Sequence, residues 1–217
     1  DCDVSPVTPL DRALKEFGID VPKKDLRRGF WVANDYFSRE AARSPIEQRP
    51  PEEKIEVFIE FERTWLREAG VEVSRDQAAK LLELLRLNTE GVVLFEDTVP
   101  ALTELRSRGI VVGLVSNLDM TLEKFCPDFD LAAHLDFVIV SHEVGFEKPH
   151  PEIFGAALER ANAKASETIM VGDQFNSDIV GALRAGIKPL WLDPDGVFGD
   201  HVDCQRVGGL VEILEHV

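Results

Sequence analysis

Cysteine is scarce in this chain. Cys2, Cys126 and Cys204 are the only three among 217 residues, and no Cys-x-x-Cys pair exists. An odd, scattered set excludes a disulfide framework and fits a reducing, cytoplasmic setting. Positive charge is also short. Lys and Arg total 24 against 40 Asp and Glu, a formal net charge of −16. A surface this acidic repels nucleic acid and anionic membranes, so neither is an expected partner. It also repels an anionic substrate, so any anion site must be made attractive locally by a cation. No apolar run approaches bilayer-spanning length, and the first residues carry no signal-peptide pattern. Internal repeats and low-complexity linkers are absent.

What remains is an ordinary globular composition, 44% hydrophobic and 29% charged, with a change of texture along the chain. From about Pro6 to Thr89 the sequence reads helical, with no credible strand. "TPLDRALKEFGI" offers Thr8 as a cap and sets Leu10, Leu14 and Phe17 on one side. "PEEKIEVFIEFERTWLREAG" opens with proline and acids and stops at Gly70, as start and stop signals require. "SRDQAAKLLELLRLN" opens at the cap residue Ser74 and carries Ala78, Leu81, Leu82 and Leu85 on one face. "KKDLRRGFWVANDYFSREAARS" is the weakest of the four helical patterns.

From about Gly91, short runs rich in Val and Ile appear: 110–116, 136–141, 168–172 and 188–193. Helical patterns lie between them at 98–108, 120–126, 150–163 and 177–185, and "GGLVEILEHV" closes the chain with another. Strands alternating with helices at this spacing mean right-handed βαβ units and a parallel sheet. The expected fold class is α/β.

In an open parallel sheet, ligands bind beyond the carboxyl ends of the strands. Here those ends carry Ser116-Asn117, Ser141 with Lys148-Pro149 shortly after, and Asp173 with Asp178 one turn later. The chain itself begins "DCDV", with Asp1 and Asp3. Carboxylates, a hydroxyl, an amide and one lysine form a set able to hold a divalent metal and a phosphate together. Mg²⁺ prefers hard oxygens, usually one or two carboxylates plus water and substrate phosphate. Asp173 and Asp178 offer such oxygens, and Gly172 permits a sharp turn. Lys148 supplies a positive charge for phosphate, and Ser116 a hydroxyl. An aspartate near the metal can attack phosphorus, and a second acid can protonate the leaving oxygen.

Taken in order, "IVVGLVSN", "EVGFEKPHPEIF" and "VGDQFNSDIVGALRAGI" resemble the second, third and fourth motifs of the haloacid dehalogenase superfamily, most of whose members are Mg²⁺-dependent phosphatases. The likeness is strongest from Glu90 to Asp193. It implies a Rossmann-like parallel sheet with an inserted all-helical cap of the C1 type: residues 1–9 and 91–217 as core, 10–90 as cap. It further implies catalysis by Asp1, Asp3, Ser116 and Lys148, with Asp1 as nucleophile and Asp3 as general acid/base. Phosphate would be bound by Ser116, Asn117 and Lys148, and Mg²⁺ by Asp1, Asp3, Asp173 and Asp178. Of the last two, Asp173 is the direct ligand, and Asp178 acts through water or by orienting a neighbour. The implied activity is hydrolysis of a small phosphorylated metabolite through an aspartyl phosphate, by a monomer or homodimer. The first motif departs from the family pattern. No strand precedes Asp1, and Val4-Ser5-Pro6 stands where Gly-Thr-Leu is usual, as though residues were missing before Asp1 and around Val4.

Two other functions fit parts of this pattern. A metal-free 2-haloacid dehalogenase would use the same aspartate on carbon, but it has little use for Asp3 and Asp173 together. A catalytically inactive binding domain would explain the irregular first motif. Simpler readings apply elsewhere. Phe30, Trp31, Tyr36 and Phe37 are expected to be helix core rather than a binding patch. His142 and His150 are expected to be surface or hydrogen-bonded residues, nothing in the pattern supports a thiol mechanism at Cys2, and Glu52, Glu53 and Glu56 are expected to form a solvated helix face.

Overall fold

The structure, a computed structural model, describes residues 7–87, 94–118, 121, 130–193 and 204–217. The chain divides into two compact units with the boundary between Leu94 and Phe95. No helix among the described residues is long and apolar enough to cross a membrane.

The first unit is helical: α1 (Val7–Glu16), α2 (Lys23–Arg43), α3 (Pro51–Glu68) and α4 (Arg75–Leu87). The local start and stop signals act as expected. Pro51 opens α3, with Glu52 and Glu53 in its first turn, and Gly70 follows its end at φ +90°, where a side chain would be strained. Ser74 and Gln77 form a reciprocal capping box on α4. Gln77 N donates to Ser74 Oγ at 3.2 Å and Ser74 N to Gln77 Oε1 at 2.9 Å. Thr8, expected as a cap, lies inside α1 instead.

The weakest sequence pattern forms the longest helix, α2, of 21 residues. Its stability comes from packing rather than propensity. Gly29 lets α2 approach α3 so closely that a Cβ there would collide with the Trp65 carbonyl. The Trp65 indole N–H donates to the Leu26 carbonyl at 2.6 Å. Phe30 lies against Trp65 with ring centroids 4.9 Å apart, and Phe37 against Phe58 at 5.7 Å. These aromatics are core contacts of the helix pair.

One polar residue interrupts that core. Glu62 shares a face of α3 with Ile59, Leu66 and Ala69 and is 4% exposed. Its Oε2 has no hydrogen-bond partner among the described residues. Burial raises the carboxyl from 4.5 to about 8, because the charged form loses its hydration. Between these values the folded state holds a proton that the unfolded chain releases. Stability therefore falls as pH rises from 4.5 towards 8, by about 1.4 kcal/mol per pH unit from this group, and levels off above. Glu62→Gln is expected to flatten that slope. Urea denaturation at pH 5 and pH 8.5 checks it: the variant should match the wild type at the lower pH and exceed it at the higher.

The second unit begins with α5 (Thr98–Ser107), then β1 (Gly113–Ser116), β2 (Phe137–Val140), α6 (Ser141–Val144) and α7 (Pro151–Ala161). It continues through β3 (Ile169–Gly172), a π-helical stretch Phe175–Val180, α8 (Gly181–Arg184), β4 (Lys188–Leu192) and β5 (Arg206–Val207). All strand pairings are parallel, as the alternation of strands and helices requires. They form two sheets among the described residues, β1-β2 and β3-β4-β5. Both faces are covered. Met170 of β3 packs with Ile153, Phe154 and Ala182, while Ile169 and Val171 pack with Leu190, Val207 and Ile213. This two-sided burial explains why the strands read as continuous apolar runs.

Several boundaries differ from expectation. The run 110–116 becomes a strand only from Gly113, where pairing with Phe137 of β2 begins. The helix expected over 177–185 starts as the π-helical stretch and is α-helical only from Gly181. The closing helix is a 3₁₀ stretch, Val211–Glu215. Asp97 Oδ2 ties down its start by accepting the N–H of Leu210 at 2.6 Å. The two-residue β5 was too short for any periodicity to reveal. The expected helix 120–126 lies, apart from Thr121, outside the described residues, as do Asp1 and Asp3.

Candidate active site

Three strand-end segments of the second unit meet around Lys148. β1 ends at Ser116, whose register partner is Val140 of β2. Lys148 follows α6 in the loop that leads to α7, and it is 9% exposed. Its ammonium donates to the Val115 carbonyl at 2.9 Å and lies 2.7 Å from Asp178 Oδ1. A lysine this buried needs such acceptors to offset its lost hydration.

Asn117 grips the backbone of Lys148 at both ends. Lys148 N–H donates to Asn117 Oδ1 at 2.7 Å, and Asn117 Nδ2 donates to the Lys148 carbonyl at 3.0 Å. Both ends of the amide are thus engaged in fixing where Lys148 leaves the chain. Ser141, the residue after β2, performs a similar service: its hydroxyl donates to the Leu118 carbonyl at 3.0 Å.

The acids come from the end of β3. Gly172 is the last strand residue, and a Cβ on it would occupy the space of the Asp178 carboxyl. That carboxyl turns back along the chain, where Oδ2 accepts the N–H of Gln174 at 3.0 Å. Its Oδ1 is buried and accepts no well-aligned hydrogen bond, so its contact with Lys148 is an ion pair without a formed hydrogen bond. Asp173 is half-buried. Its carboxyl is raised from 3.8 to about 6, first by burial and then by the like charge of Asp178, while Lys148 opposes the shift. Two carboxylates and one ammonium therefore share a poorly hydrated space that needs more positive charge to be neutral.

That deficit is the test for a metal. No three His, Cys, Asp or Glu side chains among the described residues converge on one ion. Mg²⁺ does not require that, since it keeps several waters and takes one or two carboxylates. The carboxylates of Asp173 and Asp178 are hard oxygen donors of the fitting kind. Asp178 already has Lys148 and Gln174 N as partners, whereas the Asp173 carboxyl is raised by burial and by the charge of Asp178.

Of the seven residues singled out in sequence, the structure gathers Asn117, Lys148, Asp173 and Asp178, with Ser116 between Val115 and Asn117. Asp1 and Asp3 lie outside the described residues. Sequence reasoning missed Trp191, whose indole N–H donates to the Asp173 carbonyl at 3.1 Å. The two residues are 18 positions apart, and no spacing rule links a strand tryptophan to that carbonyl.

The model of the haloacid dehalogenase-like hydrolase family matches residues 10–186. The phosphoserine phosphatase of Thermus thermophilus is 35% identical over 157 residues, 70% of this chain and 61% of that protein. The glyceraldehyde 3-phosphate phosphatase of Methanothermobacter thermautotrophicus is 33% identical over 125 residues, 57% of this chain and 55% of that protein. The chain thus spans little more than half the length of these relatives. Among solved structures, an L-2-haloacid dehalogenase superposes with a TM-score of 0.72 at 18% identity, covering 98% of this chain and 92% of that one. A magnesium-bound HAD-hydrolase from Bacillus subtilis gives 0.67 at 20% identity, covering 96% and 89%. At these identities the structural likeness is one of fold.

Substituting the glycine behind Asp178 tests the packing of the site. Gly172→Ala should displace the Asp178 carboxyl and destabilise the protein by about 1–3 kcal/mol, read from the midpoint of urea unfolding. An unshifted midpoint would mean that the space behind Asp178 is not close-packed.

Proposed function

Since this chain belongs to the haloacid dehalogenase-like hydrolase family, we propose that it is a Mg²⁺-dependent phosphatase acting on a small phosphorylated metabolite. The observation that carries this reading is the buried ammonium of Lys148, fixed beside Asp173 and Asp178 at the strand ends. The chain carries 16 net negative charges, so a phosphate needs such a local cation to approach at all. Residues 1–9 and 91–217 then act as the catalytic core, and the helical residues 10–90 as its cap, within a cytoplasmic enzyme.

The roles follow from the chemistry of each group. Lys148 neutralises the transferring phosphoryl group, and its position is held by Asn117 from the backbone side and by Asp178 at the ammonium. Ser116 offers a hydroxyl to the same group. Asn117, with its amide engaged on Lys148, contributes to phosphate binding through its backbone N–H. Asp1 is the nucleophile that forms an aspartyl phosphate, and Asp3 protonates the leaving oxygen and then activates water. Asp173, with Asp1, Asp3 and the more remote Asp178, would hold Mg²⁺, which supplies charge neutralisation for the phosphate. Positioning and electrostatics then account for most of the rate, as in phosphoryl transfer generally.

Hydrolysis of p-nitrophenyl phosphate, with and without EDTA, tests the reading. Activity is expected to disappear on chelation and return with added Mg²⁺. Asp173→Asn should raise the Mg²⁺ concentration needed for activity. Lys148→Ala should lower kcat by about 10²-fold or more while circular dichroism stays native. Turnover indifferent to EDTA would overturn the Mg²⁺ dependence, wild-type rates in both variants would remove Lys148 and Asp173 from the site, and no turnover under any condition would leave the dehalogenase or the inactive domain.

A further inference from the structure

The backbone around Asp173 is held at three consecutive residues. Gly172 is in ladder register with Trp191 of β4. The Asp173 carbonyl accepts the Trp191 indole N–H at 3.1 Å. Gln174 N–H is taken by Asp178. One residue, Trp191, therefore supplies two of the three restraints, one through its ladder position and one through its side chain.

The indole is itself immobilised. Trp191 is 2% exposed. The Phe175 ring lies 5.0 Å away at 44°, and the Arg206 guanidinium sits 4.9 Å from the indole centroid. Arg206 Nη1 reaches Asp193 Oδ2 at 3.4 Å, which keeps the guanidinium over the ring. A buried indole N–H must find an acceptor, and β4 is bordered by carbonyls on both sides. The acceptor used is the carbonyl of the acid assigned to the metal.

We propose that Trp191 is a positioning residue for Asp173. It fixes the peptide plane at the end of β3 so that the Asp173 carboxylate is aimed before any cation arrives. This rests on the Mg²⁺-dependent reading above. The chain would lose less conformational freedom on binding the ion, and the gain appears as affinity. Phe175, Arg206 and Asp193 contribute by holding the indole.

Two variants separate the hydrogen bond from packing. Trp191→Phe keeps an aromatic ring and removes the donor. Replacing Trp191 with β-(3-benzothienyl)alanine keeps the bicyclic shape and removes only the N–H. Mg²⁺ alone is titrated into each protein by calorimetry, and melting is followed without metal. The wild type is expected to bind Mg²⁺, and both variants to bind it about tenfold more weakly. The benzothienyl protein should melt with the wild type, and its KM for p-nitrophenyl phosphate at saturating Mg²⁺ should be unchanged. Equal Mg²⁺ affinity in the wild type and the benzothienyl protein overturns the positioning role, even where Trp191→Phe melts early. A wild type that binds no Mg²⁺ overturns the phosphatase reading, and the assignment of Trp191 falls with it.

Discussion

The ion pair between Lys148 and Asp178, 2.7 Å long and largely out of water, links the ends of β1 and β3, which belong to the two sheets described in the second unit. The lysine ammonium also reaches the Val115 carbonyl of β1, while the aspartate is anchored to Gln174 beyond β3. A pair of this kind is not an efficient way to stabilise a fold. Desolvating both charges costs several kcal/mol per ion, and well-packed apolar side chains would serve as well or better. Removing one partner, however, would strand the other. The pair therefore commits the strand ends to a charged arrangement that stability alone does not call for.

Around that pair, backbone groups are fixed from outside while charged side chains keep their reach. Asn117 holds both backbone groups of Lys148. Trp191 holds the carbonyl of Asp173. Gly172 is a glycine because the Asp178 carboxyl fills the space of a side chain. The carboxyl of Asp173 is raised to about 6, first by burial and then by the like charge of Asp178, which Lys148 offsets only in part. A dication beside the two acids would offset their repulsion, whereas a phosphate alone would add to it.

The helical unit shows a different balance. Its helices pack through Gly29, Trp65 and a set of aromatic contacts, and buried Glu62 is tolerated by staying protonated up to about pH 8. Here local signals and packing disagreed once. α2 has a poor helical pattern and is nonetheless the longest helix, because contact with α3 outweighs propensity. The cap at Ser74, by contrast, was legible in the sequence because its hydrogen bonds with Gln77 are local.

The sequence by itself determined the α/β class, the change from helical to alternating texture, and which polar residues stand at strand ends. Each depends on periodicity or on neighbours a few positions apart. Its strand-end reading also singled out Lys148, Asp173 and Asp178, which the structure places side by side. Only the tertiary structure decided that Asn117 spends its side chain on Lys148, that the helix after Asp173 opens as a π-helical stretch, and that Trp191 reaches back across 18 residues to the Asp173 carbonyl. Those are contacts between segments distant in sequence. Their partners are chosen by how strands and helices pack, and no local pattern encodes that.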